Sequence, residues 1–406
     1  MASQSPTPVS DRISVLDQFR GVAILTVFLY HCVIFSFYPT WLNWSGAFRN
    51  WDIPRSFLAV LPLCLGWAGV AIFFVVSGFC IRLAHMKSAR AGWRVFAWRR
   101  FWRIYPPYLV AVLGFAFFYR YTRLRFDGPH HGLFDWAQLG SHLLLIHNVD
   151  LRSFYGINGA FWSIAVEAQI YLLYPLLHWM AGRWGWRRTI GLIGAIEISL
   201  RLAMTAAGEE APTGLMAVGA VPCWLAGSPF VYWFGWAIGA WLADAKLRGV
   251  ALPFARQPIW IWMALFAVSY FFRPLIAFSF LFAAMATVVT LARMLDRQTT
   301  GALGRMTGRS FRAWLGDGLA MVGAVSYSMY LLHQPMLSAV QPIMRKFLPA
   351  LAGRPQFVFP ATLAMGVVVA ASVVFYRGVE QPSIWIGKKL FASREVGAAS
   401  LQPTPP

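Results

Sequence analysis

The chain has 406 residues, of which 58% are hydrophobic and only 12% are charged. Soluble domains average about 25% charged residues, so this composition, with a mean hydropathy of +0.56, excludes a water-soluble globule and a disordered chain. The net charge of +20 would suit nucleic-acid binding in a soluble protein, but multi-span membrane proteins also collect Lys and Arg in their cytoplasmic loops. We therefore predict an all-α, polytopic membrane bundle that binds no nucleic acid.

Ten apolar segments are interpreted as membrane spans, since a spanning helix needs about 20 mostly apolar residues. In chain order they are 21–38, 57–81 (with its membrane helix starting at Gly66), 105–119, 161–180, 190–204, 230–242, 258–272, 275–291, 319–340 and 358–375. Pro106 and Pro107 are placed at the start of the third span, where a missing N–H costs least. The run 139–146 is too short to cross and is interpreted as a re-entrant or interfacial helix.

The basic residues orient this bundle. Residues 82–103 contain seven Lys and Arg and no acidic residue, which predicts a cytoplasmic loop and places both termini in the cytoplasm. Residues 13–390 would form one transmembrane domain between an N-terminal tail (1–12) and a disordered C-terminal tail (391–406). The four cysteines lack the spacing of a zinc site or a disulfide framework, so no metal is expected.

Polar residues inside predicted spans are the candidate functional groups, because they are expensive in a bilayer. Arg20 and His31 are eleven residues apart, so they share one helix face about 16 Å apart, and Asp17 can pair with Arg20 one turn away. The alternative is a lone histidine that hydrogen-bonds a neighbouring helix. Arg100 and Arg103 are neighbours on a helix and suit a phosphate ligand, although ordinary cytoplasmic anchoring explains them equally well.

Two later segments add further polar groups. Glu167 begins a stripe that continues through Tyr171, Tyr174 and His178, and a carboxylate at mid-membrane depth needs a cation, a histidine or water as its partner. Ser326, Tyr330 and His333 share a face of a later helix. The predicted topology brings His333, His31 and Glu167 to similar depths, which suggests one polar pocket. Ser77 and Gly78 are interpreted as a close helix-packing point.

Five segments, in this order, resemble the acyltransferase 3 family of membrane-bound acyltransferases. They are residues 16–21 with His31, residues 73–79, residues 99–106, Trp162 and Ser163 with Glu167 and Tyr171, and residues 326–335. The resemblance covers nearly the whole chain and implies a multi-pass protein of the bacterial inner membrane. Family members typically O-acylate surface polysaccharide, lipopolysaccharide or another exported glycan, and some modify antibiotics or lipids.

The resemblance also implies roles for individual residues. Arg20 and His31 match a basic residue followed, after ten others, by a histidine, and Arg100 with Arg103 matches a pair that binds acyl-coenzyme A. The donor would be a co-substrate, expected to be acetyl-coenzyme A, with no bound cofactor. His31 would act as a base towards the acceptor hydroxyl or carry a covalent acyl group.

The remaining candidates are given supporting roles. Glu167 would orient His31 or the acceptor, and Tyr330 and His333 would line the pocket or stabilise the oxyanion. The other pocket residues are Asp17, Ser77, Trp162, Ser163, Tyr171 and Ser326. Two other classes of function stay open: a proton-coupled transporter of lipid-linked sugars or anionic solutes, and a structural or receptor protein.

Overall fold

The computed structural model describes residues 14–37, 61–87, 92–122, 136–208, 221–299, 311–351 and 358–399. Its regular elements within these ranges are all helical, and twelve α-helices have eight or more residues. They are α1 (Ser14–Phe37), α2 (Gly69–Lys87), α3 (Gly92–Thr122), α4 (Trp136–Leu143), α5 (Trp162–Gly208), α6 (Trp233–Leu247), α7 (Ile259–Phe271), α8 (Ser279–Thr299), α9 (Phe311–Ala324), α10 (Ser326–Phe347), α11 (Val358–Phe375) and α12 (Gln381–Ala399). The predicted N-terminal tail and the first residues of the span 57–81 lie outside the described residues.

The helical membrane fold is confirmed, whereas ten spans are not. Five described stretches are long and apolar enough to cross a membrane: Leu65–Lys87, Gly92–Phe118, Trp162–Ala207, Leu275–Asp296 and Thr362–Phe391. A sixth exists if Trp314–Ala324 and Ser326–Val340, which meet at 74°, are counted as one span. Other predicted spans correspond to shorter helices, such as α6 with 15 residues and α7 with 13.

Two predicted spans, 161–180 and 190–204, are the two arms of α5. The arms meet at Gly185, whose φ of 76° and ψ of 160° are not helical. Such a φ is readily available only to glycine. The second arm runs back along α6, since Trp186 hydrogen-bonds Asp244 while Arg201 bonds the carbonyl of Val231 at the opposite end of α6.

The predicted span 319–340 is wrong as a single helix, because the chain bends at Val325 between α9 and α10. Close packing of α9 on α1 accounts for the bend. A Cβ at Gly21 would lie 2.1 Å from the Leu319 carbonyl oxygen, and one at Gly323 would lie 1.8 Å from the Asp17 carbonyl oxygen. Glycines at such contacts let two helix backbones meet, and they place Ser326 at the start of α10.

Pro106 and Pro107 lie inside α3, not at the start of a span. Proline lacks the N–H that would bond the carbonyl four residues earlier, which frees the Trp102 carbonyl. The Ser383 hydroxyl of α12 donates to that carbonyl, so a neighbouring helix supplies the missing bond, as membrane helices require. Helix α12 itself continues to Ala399, into the segment predicted as a disordered tail.

Helix α2 lies at the centre of the bundle and packs against both α1 and α6. The close approach predicted at Gly78 is confirmed, since a Cβ there would lie 1.9 Å from the Trp236 carbonyl oxygen. A second glycine contact lies about one turn earlier on α2, where Gly239 of α6 meets the Val75 carbonyl. These contacts fix the rotation of α2, and with it the direction of Ser77.

Candidate functional site

A cavity of about 820 Å³, measured out to its opening, lies among α1, α2, α3, α5 and α10. Apolar side chains such as Phe73, Phe74 and Ile104 form part of its wall. Its polar lining residues are Arg20, Ser77, Cys80, Arg100, Arg103, Ser163, Glu167, Tyr171, Ser326, Tyr327 and Tyr330. Most of the predicted site residues therefore meet around one space, although five separate helices carry them.

Three guanidinium groups surround the end of the cavity where α3 enters the bundle. Arg20 pairs with Asp17, with 3.2 Å between Nη1 and Oδ1, as its spacing predicted. Its Nη2 lies 3.2 Å from the Cys80 thiol. Among the described residues, none hydrogen-bonds the buried Nε of Arg100. This end of the cavity thus holds more positive than negative groups and suits an anionic ligand.

The Glu167 carboxylate lies deeper in the cavity, and its hydrogen-bond partners are hydroxyl groups. The Ser77 hydroxyl donates to Oε1 at 2.5 Å, and the Tyr171 hydroxyl donates to the same oxygen at 2.6 Å. The indole N–H of Trp236 donates in turn to Ser77. The carboxylate is therefore held in one orientation by two helices.

The predicted stripe on α5 divides between two environments. Glu167 and Tyr171 line the cavity, whereas Tyr174 hydrogen-bonds His85 and His178 contacts Arg82 beyond its lining. A shared helix face thus ensures neighbouring positions but does not ensure a shared site, because α2 meets one half of the stripe with Ser77, at the cavity, and the other half with Arg82 and His85, beyond it.

A hydroxyl pair forms the far end of the cavity. Ser163 and Tyr330 lie 2.6 Å apart between their oxygens, and the Tyr330 hydroxyl also reaches the Ala160 carbonyl at 3.2 Å. The Tyr330 ring meets Phe73 edge to face, with 5.6 Å between ring centroids. Both aromatic rings line the cavity and close this end.

His31 and His333 form a contact pair behind Tyr330. His333 Nε2 lies 3.3 Å from His31 Nδ1, and the His333 ring centroid is 5.4 Å from that of Tyr330. His31 Nδ1 lies 2.8 Å from the Val27 carbonyl, to which it donates as an N–H. Nε2 of His31 then carries the lone pair, and the Gln334 amide contacts it.

The expected single pocket is thus two adjoining parts. The histidine pair forms as the predicted depths suggested, but within the described part of the chain neither imidazole lines the cavity. Buried Ile24 and Val27 lie between Arg20 and His31 on their shared helix face. Tyr330 joins the two parts, since it lines the cavity and contacts His333.

Besides the two histidines, the predicted site residues Asp17 and Trp162 also lie outside the cavity lining. Asp17 is connected to the cavity by its ion pair with Arg20. Trp162 instead packs its ring against Phe154 and Tyr232, at centroid distances of 5.8 and 5.5 Å. Trp162 is therefore part of the aromatic packing at the start of α5.

Sequence reasoning missed several groups that the structure places at or near the site. Cys80 lines the cavity, and its position three residues after Ser77, on one face of a helix, indicates this in retrospect. Gln334 contacts His31 directly. Glu380 belongs to a segment, residues 380–382, that also resembles the family but had no predicted role; it lies in a short π-helical turn before α12 and accepts a 2.6 Å hydrogen bond from Ser328.

A second charged cluster lies inside the bundle and was also missed. Glu197 and Arg201 form an ion pair at 2.8 Å, and both side chains are 1% exposed. Arg201 also bonds the carbonyls of Val231 and Ala277, and Glu197 accepts the backbone N–H of Phe234. Their spacing of four residues on one helix is the sequence signature of such a pair.

Among the described residues, no group of three or more His, Cys, Asp or Glu side chains could hold a metal ion. A family model described as an acyltransferase domain, Acyl_transf_3, matches residues 13–377 of the chain. No curated protein and no solved structure matches the chain.

Proposed function

Because the chain belongs to the acyltransferase 3 family, and is thus an acyltransferase with helices suited to a membrane, we propose that it transfers an acyl group, expected to be acetyl, from acyl-coenzyme A to a hydroxyl of a carbohydrate or glycolipid in the bacterial inner membrane. The observation that carries this proposal is the cavity itself. Arg20, Arg100 and Arg103 surround one end of it, and a hydrogen-bonded carboxylate and two hydroxyls lie further in.

The donor enters at the arginine end, on the side that the positive-inside rule makes cytoplasmic. Arg100 and Arg103 bind the diphosphate, since guanidinium groups grip phosphate oxygens in pairs. The uncharged pantetheine arm then extends past Cys80 and Ser77, where the wall includes Phe73, Phe74 and Val70. The thioester reaches the region of Ser163 and Tyr330.

His31 is the proposed base. Its Nε2 carries the lone pair while Nδ1–H is held by the Val27 carbonyl, so the ring is already in the tautomer that accepts a proton. The Gln334 amide occupies this nitrogen, and among the described residues none hydrogen-bonds the buried Gln334 Oε1. We expect the acceptor hydroxyl to displace the amide, while Oε1 accepts a bond from the acceptor.

The acyl group is then transferred directly from the thioester to the acceptor hydroxyl. The acceptor oxygen attacks the thioester carbonyl and loses its proton to His31 Nε2, the carbon–sulfur bond breaks, and the thiolate leaves with a proton from the imidazolium. Once it leaves its present partners Ser163 and Ala160, the Tyr330 hydroxyl donates to the carbonyl oxygen as its charge develops. Because Tyr330 separates the two parts of the site, its side chain must move before the donor meets the base.

Mass spectrometry of cell-envelope glycans and lipids, with and without the protein, tests this function. We expect one component to gain the mass of one acyl group only when the active chain is present. His31→Gln keeps an amide in place of the ring but removes the base, so the added mass should disappear at unchanged protein abundance. His178→Gln, which alters a histidine beyond the cavity lining, is the matched control and should retain activity.

Two results would contradict the proposal. Envelope components that are identical with and without the protein would remove the acyltransferase assignment from this substrate class. Full turnover by His31→Gln would remove His31 from the mechanism but would leave the donor cavity in place. A proton-coupled transporter, by contrast, would form no labelled acyl product from acetyl-coenzyme A.

A further inference from the structure

The cavity continues as a groove along the first turns of α3. A second, shallow space, of about 280 Å³ when the open solvent at its mouth is included, lies between these turns and the end of α2. Its lining residues are Ala84, His85, Gly92, Val95, Phe96, Arg99 and Arg100. Arg100 lines both spaces, so the groove and the cavity adjoin at this guanidinium.

The α3 residues of the two spaces form a single stripe. Groove positions 92, 95, 96, 99 and 100 and cavity positions 100, 103 and 104 follow one another at intervals of one, three or four residues, which is the pattern of one helix face. The stripe extends about 18 Å along the helix axis. One elongated ligand can therefore contact both spaces at once.

The chemistry of the stripe changes along its length. Arg100 and Arg103 mark the junction with the cavity, where paired phosphates would bind. The groove instead offers the rings of Phe96 and His85, with Arg99 as a second cation at its rim. His85 is fixed by a 2.8 Å hydrogen bond to the Tyr174 hydroxyl and lies 6.0 Å from Phe96, centroid to centroid. Rings beside a cation suit a nucleobase with a nearby phosphate.

We propose that this groove binds the nucleoside end of the acyl-coenzyme A donor. The base lies against Phe96 and His85, and Arg99 binds the ribose 3′-phosphate. The diphosphate then lies at Arg100 and Arg103, and the pantetheine arm enters the cavity. The inference rests on the proposed function for the identity of the donor, but the groove can be tested without turnover.

Titration calorimetry with adenosine 3′,5′-bisphosphate, on the full-length protein in lipid nanodiscs, tests the groove directly. Arg99→Gln removes the rim charge and should weaken binding about tenfold, as the loss of one charge-assisted contact does. Ala84→Leu should also weaken binding, because its larger side chain fills part of the groove. Ala97→Leu and Arg94→Gln change exposed α3 residues that line neither space, and they should bind like the unmodified protein.

Arg99 is exposed, so Arg99→Gln keeps the inference testable even if Ala84→Leu fails to fold. The inference is wrong if the unmodified protein does not bind the bisphosphate, or if Arg99→Gln binds as tightly as Arg94→Gln. Equal competition by inorganic pyrophosphate would also overturn it, since the groove would then recognise phosphate without a base.

A comparison of donors separates this inference from the proposed function. With membranes of the expressing cells as acceptor, Arg99→Gln should lower kcat/KM about tenfold for acetyl-coenzyme A and leave it unchanged for acetyl-pantetheine, which lacks the nucleotide. Equal losses with both donors would overturn the inference while acyl transfer stands. Bisphosphate binding without any acyl product from either donor would overturn the proposed function and support the groove as a nucleotide site.

Discussion

Two clusters of charged residues lie within the helical bundle, and they differ in what surrounds them. Glu197 and Arg201 neutralise each other and use their remaining hydrogen-bonding atoms on the backbone of Val231, Phe234 and Ala277. Arg20, Arg100 and Glu167 instead face an open cavity. Charged residues are rare inside membrane proteins, and of these two clusters the one at the cavity leaves space for a ligand.

The difference shows that charge inside a membrane protein indicates function only when it is incompletely satisfied. Arg201 bonds carbonyls at the turns just before α6 and α8, where helix geometry leaves backbone groups unpaired. This cluster therefore acts as a connection between helix ends. Within the described part of the chain, no group hydrogen-bonds the Arg100 Nε of the cavity cluster, as expected of an anion-binding site before its ligand arrives.

The largest expected effect is a loss of stability when the ion pair of Glu197 and Arg201 is broken. Arg201→Leu leaves the Glu197 carboxylate buried without its cation, which should cost about 3–5 kcal/mol, enough to lose the folded protein. The measurement is the melting temperature and monodispersity of the purified protein in detergent. Arg188→Leu, at an exposed position of the same helix, is the control. An unchanged melting temperature for Arg201→Leu would contradict the structural role.

The next effect should fall on turnover and not on folding. Glu167→Gln keeps the shape of the side chain but removes the charge that Ser77 and Tyr171 hold in place. Because the sequence predicts that this carboxylate orients the acceptor, we expect kcat to fall by about 10² or more, as when a positioning group is lost, with the melting temperature retained. Asp317→Asn, on the exposed part of α9, provides a matched carboxylate control. Normal turnover by Glu167→Gln would assign the carboxylate to packing.

A smaller effect is expected on donor affinity. Arg103→Gln removes one charge-assisted contact to phosphate, so KM for acetyl-coenzyme A should rise about tenfold while kcat stays near its original value. Initial rates at varied donor concentration measure the two constants, and Arg187→Gln serves as an exposed control. If KM does not change, the arginine pair serves cytoplasmic anchoring, which the sequence also allowed.

The smallest effect concerns chemical labelling of the unmodified protein. Cys80 lines the cavity beside Arg20, so saturating acetyl-coenzyme A should slow its alkylation by a maleimide several-fold. Mass spectrometry of the labelled peptides separates Cys80 from Cys223, which lies outside the cavity lining and should label at an unchanged rate. Equal labelling of Cys80 with and without the donor would place the donor elsewhere.

Much of the candidate site was predictable because helical periodicity fixes which residues share a face. The ion pair of Asp17 with Arg20 followed from a spacing of three. The predicted topology placed His31 and His333 at similar depths, and the structure brings the two rings into contact. The partners of Glu167 were not predictable, since Ser77 comes from another helix whose rotation is set by packing at Gly78. The separation of His31 from the cavity by Tyr330 has the same origin.

Composition and the spacing of apolar residues determined on their own that this chain folds as helices suited to a membrane, and the ordered polar segments determined its family. Packing between helices then sets where the helices break and which charges stay unsatisfied. The bend at Val325, the Ser383 bond to the carbonyl freed by Pro106, and the burial of Arg201 all depend on contacts between residues far apart in the chain. A local pattern can specify a helix face, but hydrogen bonds and space between helices exist only once the helices are packed.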